Sequence, residues 1–121
     1  MFTLDTNALI YYLAGRTALI DFVAERREAL FFVPTVVVAE FLSYPALNRT
    51  TERLFEQFLN DVVIVNLDLA IAKRASSLRR TYRLKTVDAI VAASALESGT
   101  VLITYNAQDF KKVRELDIIA P

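Results

Sequence analysis

Four acids and one amide stand where a chain of this pattern can gather them. Asp5 directly follows the apolar run Phe2–Leu4, inside Leu4-Asp5-Thr6-Asn7. Glu40 lies in Val36-Val37-Val38-Ala39-Glu40-Phe41-Leu42. A carboxylate buried there costs several kcal/mol unless it is paired or binds a cation. Asp88 stands near the start of Thr86-Val87-Asp88-Ala89-Ile90-Val91-Ala92-Ala93, and Asn106 and Asp109 lie in Thr104-Tyr105-Asn106-Ala107-Gln108-Asp109-Phe110. Each has a plainer use. Asp5 and Asp109 can cap helices and Asn106 can serve a turn. Glu40 can pair with a base or face solvent on one helical edge. Asp88 can favour a helix start by about 0.3–1 kcal/mol. Taken singly, capping and turn chemistry account for Asp5, Asn106 and Asp109. The apolar neighbours of Glu40 favour a functional acid, and Asp88 is balanced between the two uses.

Together they read differently. Each follows a different strand or begins a nearby helix, and ligand sites of parallel α/β sheets lie beyond the carboxyl ends of the strands. Clustered carboxylates repel and raise one another's pKa. With no histidine and no cysteine in the chain, thiolate or imidazole zinc sites, Ser-His-Asp triads and Cys nucleophiles are excluded. Two glycines cannot build a glycine-rich phosphate loop. Oxygen ligands alone select hard ions, Mg²⁺ or Mn²⁺. Such a pocket suits phosphodiester hydrolysis, because the ion acidifies water and neutralises charge on the phosphate.

The elements that position these residues follow from the rest of the 121-residue chain, which is 55% hydrophobic and has a mean hydropathy of +0.36. That length suits a single domain, residues 1–121. Short apolar runs alternate with helical patterns, which predicts an α/β fold with a mostly parallel sheet. Strands are expected at Phe2–Leu4, Leu30–Val33, Val62–Val65, Val101–Thr104 and, at an edge, Ile118–Ile119. Helices are expected from Thr6 to Ala14, stopping at Gly15, and over Ala18–Glu28. Thr35 is a candidate N-cap for Val36–Ser43, and Thr50 or Thr51 opens a helix carrying Leu54, Phe55, Phe58 and Leu59. Asp68 caps a helix to Tyr82, Thr86 caps one to Ser98 that ends at Gly99, and Asp109 starts a last one to about Leu116. The remaining acids read as solvated or capping residues.

Fourteen basic and fourteen acidic side chains cancel, so an anionic partner must be met by a local patch. The opening Met-Phe-Thr-Leu-Asp does not read as a signal peptide and Pro34, Glu40 and Pro45 interrupt the greasiest window, so a cytoplasmic protein without membrane attachment is expected. The high apolar fraction points to a subunit interface.

The four motifs, in this order and over the whole chain, resemble the PIN domain, specifically the small ribonuclease toxins of the VapC type. The resemblance implies a three-layer α/β/α sandwich and a Mg²⁺-dependent endoribonuclease (Mn²⁺ substituting). It also implies a homodimer held inactive by a cognate antitoxin, with structured RNA such as tRNA as target. Asp5, Glu40 and Asp88 fall on the family's most constant acids and would contact the metal. Asn106 falls on the fourth acidic position, where many relatives carry Asp, and Asp109 is placed to compensate. Thr6, Asn7 and Thr104 would donate hydrogen bonds to carboxylates or phosphate. Arg83 and Lys85, with Arg79 and Arg80, would contact RNA phosphates. The competing reading is a degenerate PIN fold that only binds protein. A receiver domain fits poorly because Asn66-Leu67-Asp68 follows strand three, and a haloacid-type phosphatase lacks its second Asp at Asn7.

Overall fold

The computed structural model describes residues 1–121. Its strands are short: β1 (Phe2–Leu4), β2 (Phe31–Pro34), β3 (Val63–Val65), β4 (Val101–Ile103) and β5 (Ile118–Ile119). They form one sheet in the order β3-β2-β1-β4-β5, and every neighbouring pair is parallel. Thr3 at its centre stands opposite Phe32 on one side and Leu102 on the other. Parallel neighbours require long crossovers, and helices supply them. α1 (Thr6–Leu13) and α2 (Thr17–Ala24) lead to β2, and α3 (Thr35–Leu42) and α4 (Arg49–Leu59) to β3. α5 (Leu69–Tyr82) and α6 (Thr86–Ser98) lead to β4, and the single turn α7 (Ala107–Phe110) precedes β5. The result is the expected α/β/α sandwich.

The chain builds outward from β1 to β2 and β3, then crosses to β4 and β5 on the other side. The loops leaving β1 and β4 therefore diverge, and the crevice between them is where such sheets bind ligands. α6 packs against β1, β4, α3 and α5. Its Ala89, Val91, Ala92, Ala93, Ser94 and Ala95 are all buried. Small side chains let its backbone approach the sheet closely. Beneath it the buried Thr3 and Thr100 hydroxyls pair at 2.6 Å, and no buried side-chain nitrogen or oxygen lacks a partner. No helix is long and apolar enough to cross a membrane.

Several expected boundaries move. α2 ends at Ala24, not Glu28, because Arg26 folds back to donate to the Phe22 carbonyl at 3.1 Å. Thr35 does not cap α3. Pro34 holds that place, and the Thr35 hydroxyl accepts the Leu67 N–H at 3.2 Å instead. Asn48, not a threonine, caps α4 by accepting from the Thr51 N–H, and of the four apolar residues expected on its face only Phe55 is fully buried. Thr86 is the first residue of α6 after Lys85, which makes no side-chain cap. α7 is shorter than expected and begins before Asp109, so Asp109 is not its cap; Val113 and Leu116 are buried by turns. Asp68 caps α5 through the Ile71 N–H, and Gly99 ends α6 in the left-handed region at φ 64°, both as expected.

Candidate active site

Asp5 leaves the carboxyl end of β1 and caps α1, with its Oδ1 accepting the Ala8 N–H at 2.8 Å. The capping role is real, and it engages only one of the two carboxylate oxygens. The side chain is buried, and burial pushes its pKa above the usual aspartate range. The Thr104 hydroxyl and the Ala8 N–H oppose that rise, while the charges of Asp88 and Glu40 add to it.

Asp88 stands half-buried in the first turn of α6, which starts at the same end of the sheet because the helix runs antiparallel to β4. Its pKa is also raised, chiefly by burial, then by Asp109 and Glu40, against a smaller lowering by Lys85.

Glu40 corrects the expectation of an acid enclosed by apolar neighbours. α3 turns Val37 and Phe41 inward and leaves Glu40 on an exposed edge, where the Thr6 hydroxyl donates to its Oε1 at 2.5 Å.

Asp5, Glu40 and Asp88 nevertheless line one cavity of about 210 Å³, together with Thr6, Asn7, Asn106, Ile10, Tyr44 and Val91. No lysine or arginine is among them. The Asn106 amide donates to Asp109 Oδ2 at 3.0 Å, and Asp109 stands 3.8 Å from the Lys112 ammonium. Asp109 does not line the cavity but acts on Asp88 through its charge. Thr104 is buried and does not line the cavity; its hydroxyl accepts the Asn106 N–H at 2.9 Å. The available ligand atoms are oxygens of carboxylates, hydroxyls and amides, which in kind suit a hard divalent cation. In arrangement, no three acidic side chains stand together as a ready-made cage for an ion.

Of the four basic residues expected to meet RNA, Lys85 is near enough to act on Asp88. Arg79, Arg80 and Arg83 instead line a separate groove with Ser76 and Leu84. Arg83 closes α5 in the left-handed region, φ 56° and ψ 41°.

Three lining residues, Ile10, Tyr44 and Val91, escaped the sequence reading. For Ile10 and Val91 the signal was helical spacing, each lying one turn beyond a polar residue of the same cavity, Ile10 after Thr6 and Val91 after Asp88; Tyr44 lies past the end of α3 and carried no such signal. An apolar groove that includes Leu13, Phe41 and Leu47 adjoins the cavity and shares Ile10 and Tyr44 with it.

Comparison with solved structures finds the same fold repeatedly. A toxin–antitoxin complex from Klebsiella pneumoniae contains a chain 28% identical to this one, with a TM-score of 0.85, covering 100% of this chain and 98% of that one. VapBC2 from Rickettsia felis, bound to a DNA fragment from their promoter, matches at 17% identity and a TM-score of 0.85, covering 98% and 96%. VapBC-1 from nontypeable Haemophilus influenzae matches at 23% identity and a TM-score of 0.80, with the same coverage. No curated protein matches the sequence. The PIN domain profile, however, matches residues 2–116, nearly the whole chain, and the parallel sheet with acids converging at its carboxyl edge agrees with it: this chain belongs to the PIN domain family.

Proposed function

We propose that residues 1–121 form one unit that acts as a Mg²⁺-dependent endoribonuclease, the toxin of a VapC-type toxin–antitoxin pair. The observation that carries this reading is the convergence of Asp5, Glu40 and Asp88, from three distant segments, on one cavity without a basic side chain. Asp5, Glu40 and Asp88 would hold Mg²⁺ or Mn²⁺ there. When bound, such an ion acidifies water and neutralises charge on a phosphate.

The chain's own groups supply the rest. Ala8 and Thr104 fix the Asp5 carboxyl, and Thr6 holds Glu40 in place. The Asn7 and Asn106 amides can donate to phosphate oxygens, with Asn106 steadied by Asp109. Lys85 brings positive charge to the rim.

Partners of this reading are structured RNA such as tRNA, a second copy of the chain and a cognate antitoxin in the cytoplasm. The toxin–antitoxin complexes among the structural neighbours support the antitoxin. Exposed apolar residues along one edge, Val63, Ile64, Leu67 and Leu69, support the second copy, and light scattering tests it.

The deciding experiment incubates the purified chain with total RNA in Mg²⁺ or in EDTA and maps the ends. Cleavage to 5′-phosphate and 3′-hydroxyl ends only with Mg²⁺ is expected. Asp88→Asn should abolish it while the circular dichroism spectrum is unchanged; cleavage at the parent rate by that variant overturns the assignment.

One observation favours a second reading, a degenerate PIN fold that only binds protein: the acids are not gathered into a ready cage. Calorimetric titration with Mn²⁺ separates the two, since absence of binding supports the degenerate module.

A further inference from the structure

Arg16 reaches its position through the end of α1. Gly15, at φ 92°, reverses the chain, its N–H bonding to the Tyr12 carbonyl at 3.1 Å and the Arg16 N–H to the Tyr11 carbonyl at 3.0 Å. These are the two bonds of a Schellman closure, which satisfies carbonyls the helix would leave unpaired. On the other side, the Arg16 carbonyl accepts the N–H groups of Leu19 and Ile20, both at 3.1 Å. Its backbone is thus held from both directions.

The Arg16 guanidinium carbon lies 4.1 Å from the Tyr105 ring centroid and 5.0 Å from that of Tyr11, and the two rings meet edge to face at 5.5 Å. Tyr105 is itself tethered, its hydroxyl donating to the main-chain oxygen of Pro121 at 2.7 Å.

A second stacked arginine shows what is unusual here. Arg26, 3.6 Å over the Phe22 ring, gives an N–H to the Phe22 carbonyl and lies 3.8 Å from Glu25. Arg16 is equally stacked, exposed, and has no carboxylate within ion-pair distance. A guanidinium lying on aromatic faces keeps its planar fork of donors at the edge, the geometry that grips a phosphate with two parallel bonds. Less freedom is lost on binding, because the rings have already restricted the side chain.

The cluster also stands beside the acidic cavity. Tyr105 is bonded in sequence to Asn106, and Tyr11 lies one helical turn beyond Asn7; both of those amides line the cavity. A polyanion entering a cavity with three carboxylates and no base needs positive charge at the rim. From this we infer that Arg16, stacked on Tyr105 and Tyr11, grips a backbone phosphate of RNA and positions the strand across the cavity. It is a positioning residue, and the inference rests on the nuclease reading above.

Fluorescence anisotropy of a labelled RNA in EDTA, over a salt series, tests it alongside steady-state cleavage in Mg²⁺. Arg16→Ala should weaken binding roughly tenfold, as loss of one charge-assisted contact implies, and reduce the salt slope by about one. KM should rise while kcat stays within about twofold. Arg16→Gln, which keeps a planar group against the rings but drops the charge, should behave likewise and guards against a folding defect in the alanine variant. Arg16→Lys should recover only part of the affinity, since an ammonium lacks the fork.

Unchanged affinity and slope in both Arg16→Ala and Arg16→Gln, with a lowered melting temperature, would make the cluster a latch between the α1–α2 turn and the β4–α7 loop and overturn the inference. So would a fall in kcat alone. An unaltered chain that neither binds nor cuts RNA would instead overturn the nuclease reading, and the Arg16 assignment with it.

Discussion

One oxygen of Asp5 caps α1 while the whole group lies buried, so the fold carries a carboxylate with no basic partner in its cavity. The consequence has a definite sign. Burial raises the folded pKa above the ordinary 3.8, so between those two values the folded chain binds more protons than the unfolded one. Stability contributed by Asp5 is therefore greatest at low pH and falls as pH rises through its folded pKa, and Asp88 acts in the same direction. Glu115, lowered chiefly by the Tyr82 hydroxyl, pulls the other way, but it lies on the surface where solvent screens it. In EDTA the melting temperature should rise as pH drops from neutrality toward the carboxylate range. Asp5→Asn, whose amide can still cap the helix, should flatten that rise and melt higher than the parent at neutral pH. Mn²⁺ at neutral pH should stabilise the parent and move the variant little. Calorimetric melts showing the parent steadily losing stability over the same acid range would reject this account.

Helix ends decide where the site's side chains go, and their legibility differed from one end to another. Gly15, Gly99 and Asp68 were readable because a left-handed residue or an Asx cap is a property of one residue and its neighbours. A β-carbon at Gly15 would meet nothing within 4 Å, so the cost of Gly15→Ala comes from the backbone conformation and not from a clash. It should cost about 1–2 kcal/mol, or roughly 4 °C per kcal/mol in melting temperature, measured by differential scanning calorimetry. The same substitution should disturb the stacking of Arg16. Thr35 and Thr86 misled because a threonine before an apolar run looks like a cap, whereas the extended residues before them, Pro34 and Lys85, took the place. For Thr35 the competitor was Leu67, distant in sequence and invisible in a local window. Glu40 misled for a related reason. An apolar helix does not announce which of its edges faces the sheet, and here Val37 and Phe41 face it while Glu40 does not.

At the scale of the molecule, the succession of strands was enough to place Asp5, Asn106 and the start of α6 at one end of a parallel sheet. Strand order was not legible, because it depends on which strands pair across α5 and α6; it is this order that puts the β1–β4 crevice at the centre. Charge is likewise a global matter. With a formal net charge of +0, the chain attracts RNA only through local bases. Reversing both Arg83 and Lys85 to Glu should weaken RNA binding and flatten its dependence on salt, read by filter binding; unchanged affinity would refute the patch. Arg83 also has a backbone role. It closes α5 at φ 56° and ψ 41°, a twist that glycine adopts without the roughly 1 kcal/mol that any β-carbon brings. Replacing it by glycine, Arg83→Gly, removes a steric penalty and a cation in one stroke, and the two losses act on different observables. Such a variant should withstand heat at least as well as its parent yet elute earlier from a heparin column, so that endurance and grip on polyanions part company at a single residue.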